Sequence, residues 1–117
     1  MNKEEFYRQI KAFADSHNMR CELKQGRETL ISCDWRVIVS YTFTWGNTSG
    51  ISRSEIYYVK ELTDSNVRYW HETIHNTKHH ITGSNYGSVV EQKPMTLEKL
   101  CDRFLRELRH SAEYYDL

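Results

Sequence analysis

The chain has 117 residues, long enough to bury a core without disulfides or a structural metal, and its 16 Lys plus Arg balance 16 Asp plus Glu for a formal net charge of zero. The two signs are interleaved along the whole sequence, so the basic footprint that phosphate backbones and anionic membranes demand is missing, which argues against nucleic-acid and membrane partners. No uncharged apolar run approaches the roughly 18 residues of a membrane span, and MNKEEFYRQI carries charge where a secretory signal needs an apolar stretch. A single cytoplasmic domain covering residues 1–117 is therefore expected.

Along the chain, Asn2 followed by Glu5 forms a capping-box variant, and Phe6, Ile10 and Phe13 recur at helical spacing, which predicts a first helix from about Asn2 to His17 with Asn18 as its stop. Met19, Cys21 and Leu23 then alternate with Arg20, Glu22 and Lys24, a half-buried strand that ends at the breaker Gln25-Gly26-Arg27. The strongest pattern follows. Ile31, Cys33, Trp35, Val37, Val39, Tyr41, Phe43 and Trp45 are all apolar, and the residues between them are polar except Ile38. A run of that length predicts a long strand with a bulge or break near Cys33-Asp34. Gly46 to Gly50 reads as a loop, Ser52 to Leu62 as a strand, Asp64-Ser65-Asn66 as a hairpin turn and Val67 to His75 as the return strand. The Gly-rich stretch between Asn76 and Pro94 suits a loop with a short closing hairpin. Thr96 then caps a helix in which Leu97, Leu100, Cys101, Phe104, Leu105 and Leu108 form one apolar stripe reaching to about Tyr114. Helix, four to five antiparallel strands, helix is the order of a two-layer α+β fold, with both helices on one sheet face and the opposite face left for a partner.

Within the return strand, His71-Glu72-Thr73-Ile74-His75 spells H-E-x-x-H. On a helix, residues four apart lie about 6 Å from each other along the axis, close enough for two imidazoles to reach one zinc ion while the Glu acts on its bound water. On a strand the same histidines are about 13 Å apart and cannot share an ion. Glu98 and Asp102 open the last helix as E-x-x-x-D, and with H-E-x-x-H they resemble the gluzincin metallopeptidases. That resemblance implies His71, His75 and Glu98 as zinc ligands, Glu72 as general base and Asp102 as the residue that orients a histidine. The metzincin extension is absent, since Lys78 and Ile81 stand where its Gly and third His belong. The window is poor in helix formers and lacks a capping box, so the strand takes precedence and the zinc peptidase is the alternative. A metal site from His75, His79 and His80 is a further option.

The adjacent pairs Tyr57-Tyr58 and Tyr69-Trp70 lie on the two arms of the same expected hairpin. Neighbours on a strand point to opposite faces, so one member of each pair must leave the core and meet the other across the strands, beside Arg53, Arg68 and, from the Gly-rich loop, Tyr86. Tyr, Trp and Arg are the residue types that carry binding energy at protein interfaces. The contrary reading is that a loop or helix covers this face as a second small core. Stacking of a nucleotide or a single strand on these rings is another alternative, which the zero net charge disfavours. Cys21, Cys33 and Cys101 are an odd count without a C-x-x-C pair and read as buried thiols in a reducing compartment. No nucleophile elbow, phosphate-binding glycine loop or Walker sequence is present. The expected function is that of a small non-enzymatic binding module without a cofactor, of inhibitor, immunity or antidefence type, which occludes a protein partner. An exposed strand edge could also close a homodimer.

Overall fold

The computed structural model describes residues 1–26, 32–62, 65–76, 90–91 and 93–117. They form helix α1 (Lys3–Asp15), strands β1 (Arg20–Gln25), β2 (Trp35–Trp45), β3 (Thr48–Glu61) and β4 (Asn66–Asn76), the two-residue strands β5 (Val90–Glu91) and β6 (Met95–Thr96), and helix α2 (Leu97–Tyr114). The sheet is antiparallel in the order β1-β2-β3-β4-β5, with β6 also paired to β4. This is the expected two-layer α+β arrangement, with both helices packed against one face.

Local chemistry accounts for the helix ends. The Asn2 side chain accepts the Glu5 backbone N–H at 2.9 Å at the start of α1, and the Thr96 hydroxyl accepts the Lys99 N–H at 3.3 Å at the start of α2. Asn18 leaves α1 at φ 54, a left-handed conformation that Asn tolerates better than most residues.

Register then decides what the helices cover. Val37 pairs with Tyr57, and Tyr57 with His71. The odd-numbered residues of β2, β3 and β4 therefore share the helix-facing side. Phe6 and Ile10 from α1, and Leu100, Phe104 and Leu108 from α2, pack there on Trp35, Val37, Val39, Tyr57, Val59 and Tyr69. Phe6 meets Trp35 edge-on at 5.3 Å and Phe104 stacks on Tyr57 at 4.1 Å.

Three details differ from the sequence expectation. The interruption expected near Cys33-Asp34 stands at the start of β2, and what differs is a further irregularity at its other end. β2 begins at Trp35, Asp34 closes its start by accepting the Glu61 N–H at 2.7 Å, and the one-residue register shift lies between Phe43 and Trp45. There β3 carries the extra residue, and Gly50 at φ 71 supplies the backbone conformation that such bulges favour. Secondly, residues 46–50 are not a loop. Gly46 at φ 59 and Asn47 make a two-residue turn, and β3 starts at Thr48, because Trp45 and Thr48 close the hairpin directly. Thirdly, the face opposite the helices is not wholly open. Cys33, Ile56 and Tyr58 form a second cluster with Ile38, Trp70 and Ile74 against it, and Tyr58 is only 3% exposed. The expected closing hairpin falls largely in 77–89, outside the described residues.

Candidate functional site at the seam of β3, β4 and α2

The H-E-x-x-H segment lies within β4, where alternation governs its side chains. His71 and His75 face α2 and sit opposite Tyr57 and Arg53 of β3, while Glu72 points to the other side, where the Tyr58 hydroxyl donates to its Oε1 at 2.6 Å. Four strand residues separate the two histidines by about 13 Å. Glu98 is engaged elsewhere, 2.8 Å from the amino-terminal ammonium, and Asp102 is exposed. The gluzincin set of His71, His75 and Glu98 with Glu72 as base is thus not assembled, because it needs a helix where the sequence forms a β-branched, aromatic-rich strand. His79 and His80, of the other metal option, lie outside the described residues.

The aromatic candidates divide between the two faces. Tyr57 and Tyr69 have no exposed surface and stack on each other at 5.6 Å beneath α2, so they are core residues and offer nothing to a partner. The reason is register: Tyr57 pairs with Val37 and Tyr69 with Val59, so both rings belong to the helix-covered rows. Tyr58 and Trp70 do pair across the opposite face, with half-buried Arg68 on the same side, but Tyr58 is enclosed in the second cluster. Arg53 lies on the helix side beside His75 and Tyr115. Tyr86 is outside the described residues.

A polar network occupies the seam that remains. Glu55, 3% exposed, accepts the hydroxyls of Tyr41 and Ser111, each at 3.1 Å on Oε2, and Arg53 stands 4.0 Å from its Oε1. Glu107 of α2 lies 3.5 Å from His71 Nδ1, accepts the Tyr57 hydroxyl and meets Arg103 at 3.5 Å. Burial raises the Glu55 carboxyl above its usual range against the opposing pull of Arg53, and it lowers His71 against the pull of Glu107. His75 is lowered by burial and then by Arg53. One donor atom from each of Glu55, His71 and Glu107 lies within 4.8 Å of the others, a grouping able to hold a metal ion. A cleft of about 430 Å³ opens onto it, lined by Arg53, Glu55, His71, Arg106, Glu107, His110 and Ser111. Perturbed acids and bases at a cleft mark a candidate site.

A second hollow, about 260 Å³, is lined by Phe43, Trp45, Ile51, His75, Tyr114 and Tyr115, and its His75 contacts Arg53 of the first. Trp45 at the turn of the β2–β3 hairpin is 53% exposed, Tyr114 at the end of α2 is 58% exposed, and their rings stack at 5.4 Å. Tyr115 packs behind them, 4.0 Å from Phe43.

Sequence reasoning did not single out Trp45, Tyr114, Glu55 or Glu107. Two signals were available. Trp45 sits next to the turn glycine, where a core stripe runs out of cover, and Tyr114 lies at the end of the helical stripe. Glu55 shares its parity with Tyr57 and Val59, which puts a carboxylate in an apolar row. Among the described residues no helix is long and apolar enough to cross a membrane. No protein-family model, curated protein or solved structure matches the chain.

Proposed function

We propose that this chain is a small non-enzymatic protein-binding module of inhibitor, immunity or antidefence character, acting in the cytoplasm by steric occlusion of a protein partner. The reading rests above all on one observation: Trp45 and Tyr114, two large aromatic residues, stand more than half exposed and stacked at the mouth of an aromatic hollow. Large rings held in water are uncommon in an otherwise charged surface, and clustered ones are the anchors of protein interfaces. Because the hairpin turn and the end of α2 meet there, the rings are held by two rigid elements and lose little freedom on binding. The binding surface proposed for the module is therefore the hairpin tip and the end of α2, in place of the Tyr58–Trp70 face.

The test is site-specific photo-crosslinking in the source cell, with the probe at position 45 or 114 and a control at Arg8, whose side chain is 74% exposed on α1. A discrete protein adduct from 45 and 114 that is missing from position 8, and that Trp45→Ala weakens when the probe is at 114, supports the reading. Identical adduct patterns from all three positions, or adducts only between copies of this chain, would overturn it.

A further inference from the structure

We infer that Glu55, His71 and Glu107 form a binding site for one divalent transition-metal ion. The three come from β3, β4 and α2, and their donor atoms already lie within 4.8 Å of one another. Donors of a tetrahedral ion with bonds near 2.1 Å stand about 3.4 Å apart, so the widest pair needs to contract by up to about 1.4 Å. Glu107 can supply that movement, since its side chain is 29% exposed and hangs from a helix surface.

The surroundings suit ligation. The Tyr41 and Ser111 hydroxyls both donate to Glu55 Oε2, which leaves Oε1 facing Arg53 at 4.0 Å, and the Tyr57 hydroxyl orients Glu107. Such outer hydrogen bonds are what fix ligating carboxylates in metal sites. The His71 Nε2 atom is buried and has no hydrogen-bond partner, an arrangement that is costly unless something else satisfies it. Two carboxylates and one imidazole, with no thiolate, select ions such as Zn²⁺ or Mn²⁺ over soft Cu(I), while the nitrogen donor disfavours Mg²⁺ and Ca²⁺. The open side of the cleft provides an entry path and room for water at the remaining positions.

Two cations compete for the same carboxylates. Arg53 stands 4.0 Å from Glu55 and Arg103 3.5 Å from Glu107. Arg103 is 43% exposed and can turn outward, so the ion displaces a weak surface pair at Glu107.

The test is calorimetric titration of metal-free protein with Zn²⁺ at neutral pH, for the wild type, Glu107→Gln, His71→Asn and a His79→Ala, His80→Ala double variant. One equivalent bound by wild type and by the double variant, with affinity at least about tenfold weaker in Glu107→Gln and His71→Asn, is the expected result. Equal binding by all four, or loss only in the double variant, would overturn the proposal. Because the substituted seam could fail to fold, Mn²⁺ is also added to the unaltered protein and its amide signals followed by NMR. Paramagnetic broadening that begins at Glu55, His71, Glu107 and Ser111 supports the site. Broadening centred elsewhere, or none at millimolar Mn²⁺, refutes it.

Discussion

Replacing Tyr57 separates a core role from an interface role by magnitude. The ring has no exposed surface and lies between Tyr69 at 5.6 Å and Phe104 at 4.1 Å, while its hydroxyl donates to Glu107. Truncating a buried aromatic to Ala costs about 3–5 kcal/mol in lost transfer energy and cavity formation. Losing the hydroxyl adds about 1 kcal/mol, below the roughly 1.5–3 kcal/mol of a charged acceptor, because Glu107 is partly exposed and keeps Arg103 beside it. Tyr57→Ala should therefore lower stability by about 4–6 kcal/mol, a large share of the roughly 6–18 kcal/mol ordinary for a chain of this length. Tyr57→Phe should lose only about 1 kcal/mol, since it keeps the stack and gives up the hydroxyl. For Trp45→Ala the loss should be about 0.5–1.5 kcal/mol, the worth of an aromatic pair at an exposed position. Urea unfolding followed by circular dichroism gives all three values. A loss below about 2 kcal/mol for Tyr57→Ala, or a larger one for Trp45→Ala than for Tyr57→Ala, would refute the assignment of the two residues to core and surface.

The seam should show opposite pH effects from its two shifted groups. His71 is depressed below the ordinary 6.5, so the stability it contributes is present above that pH and is lost as pH falls through its folded value. His71→Gln should flatten the decline in urea midpoint between pH 7 and pH 5, and an unchanged slope would exclude it as the source. Glu55 is raised above the ordinary 4.5, so its contribution is present below that value and lost as pH rises through the folded pKa. The stability of Glu55→Gln relative to wild type should thus improve from pH 4.5 upward, and the reverse trend would mean that Arg53 outweighs burial. Burial pushes the Cys21 and Cys101 thiols up to about 12 and 11, and Cys33 is raised as well. Buried Cys33 and Cys101 should resist Ellman's reagent at pH 8 until urea unfolds the chain, with half-buried Cys21 the first to react, and rapid labelling of Cys33 or Cys101 in the native state would contradict its burial. Thr96→Ala, which removes the cap of α2, should cost about 1 kcal/mol by thermal or urea unfolding.

What the sequence disclosed was mostly periodicity. Alternation from Trp35 to Trp45 shows which side of β2 is core, and the 3.6-residue stripe of α2 shows which side of the helix meets it. Even the exception was informative: Ile38, the apolar residue on the wet side, belongs to the edge of the second cluster with Ile56 and Tyr58. Pairing partners were not legible, because a one-residue change of register moves every side chain to the other face. At the β3–β4 connection the Leu62 N–H bonds to the Asn66 carbonyl at 2.9 Å, and Ser65 stands at φ 65, a conformation that no composition rule assigns to serine. Without that register, neither Tyr57 and Tyr69 can be told from Tyr58 and Trp70 as core, nor Glu55 placed near His71. Glu107 joins them from a helix 52 residues beyond Glu55, a juxtaposition that only tertiary packing creates.

The same alternation that disables H-E-x-x-H as a peptidase motif gives His71 its present neighbours. Had the segment been helical, His71, Glu72 and His75 would crowd one end of a helix and the carboxylate nearest the histidines would be Glu72. As a strand it sends Glu72 to Tyr58 on the far face and His75 toward Arg53 and the aromatic hollow, and it leaves His71 alone to meet Glu55 and Glu107. His75 then lies between the two features of this face, as a wall of the aromatic hollow and a contact of Arg53, whose other side borders Glu55. A partner that closes over Trp45 and Tyr114 would reduce the solvent around His75 and Arg53. Desolvation would strengthen the pull of Arg53 on Glu55, since charges interact more strongly as water is excluded. The aromatic surface and the polar seam are thus physically adjacent, and a variant at one should be assayed at both.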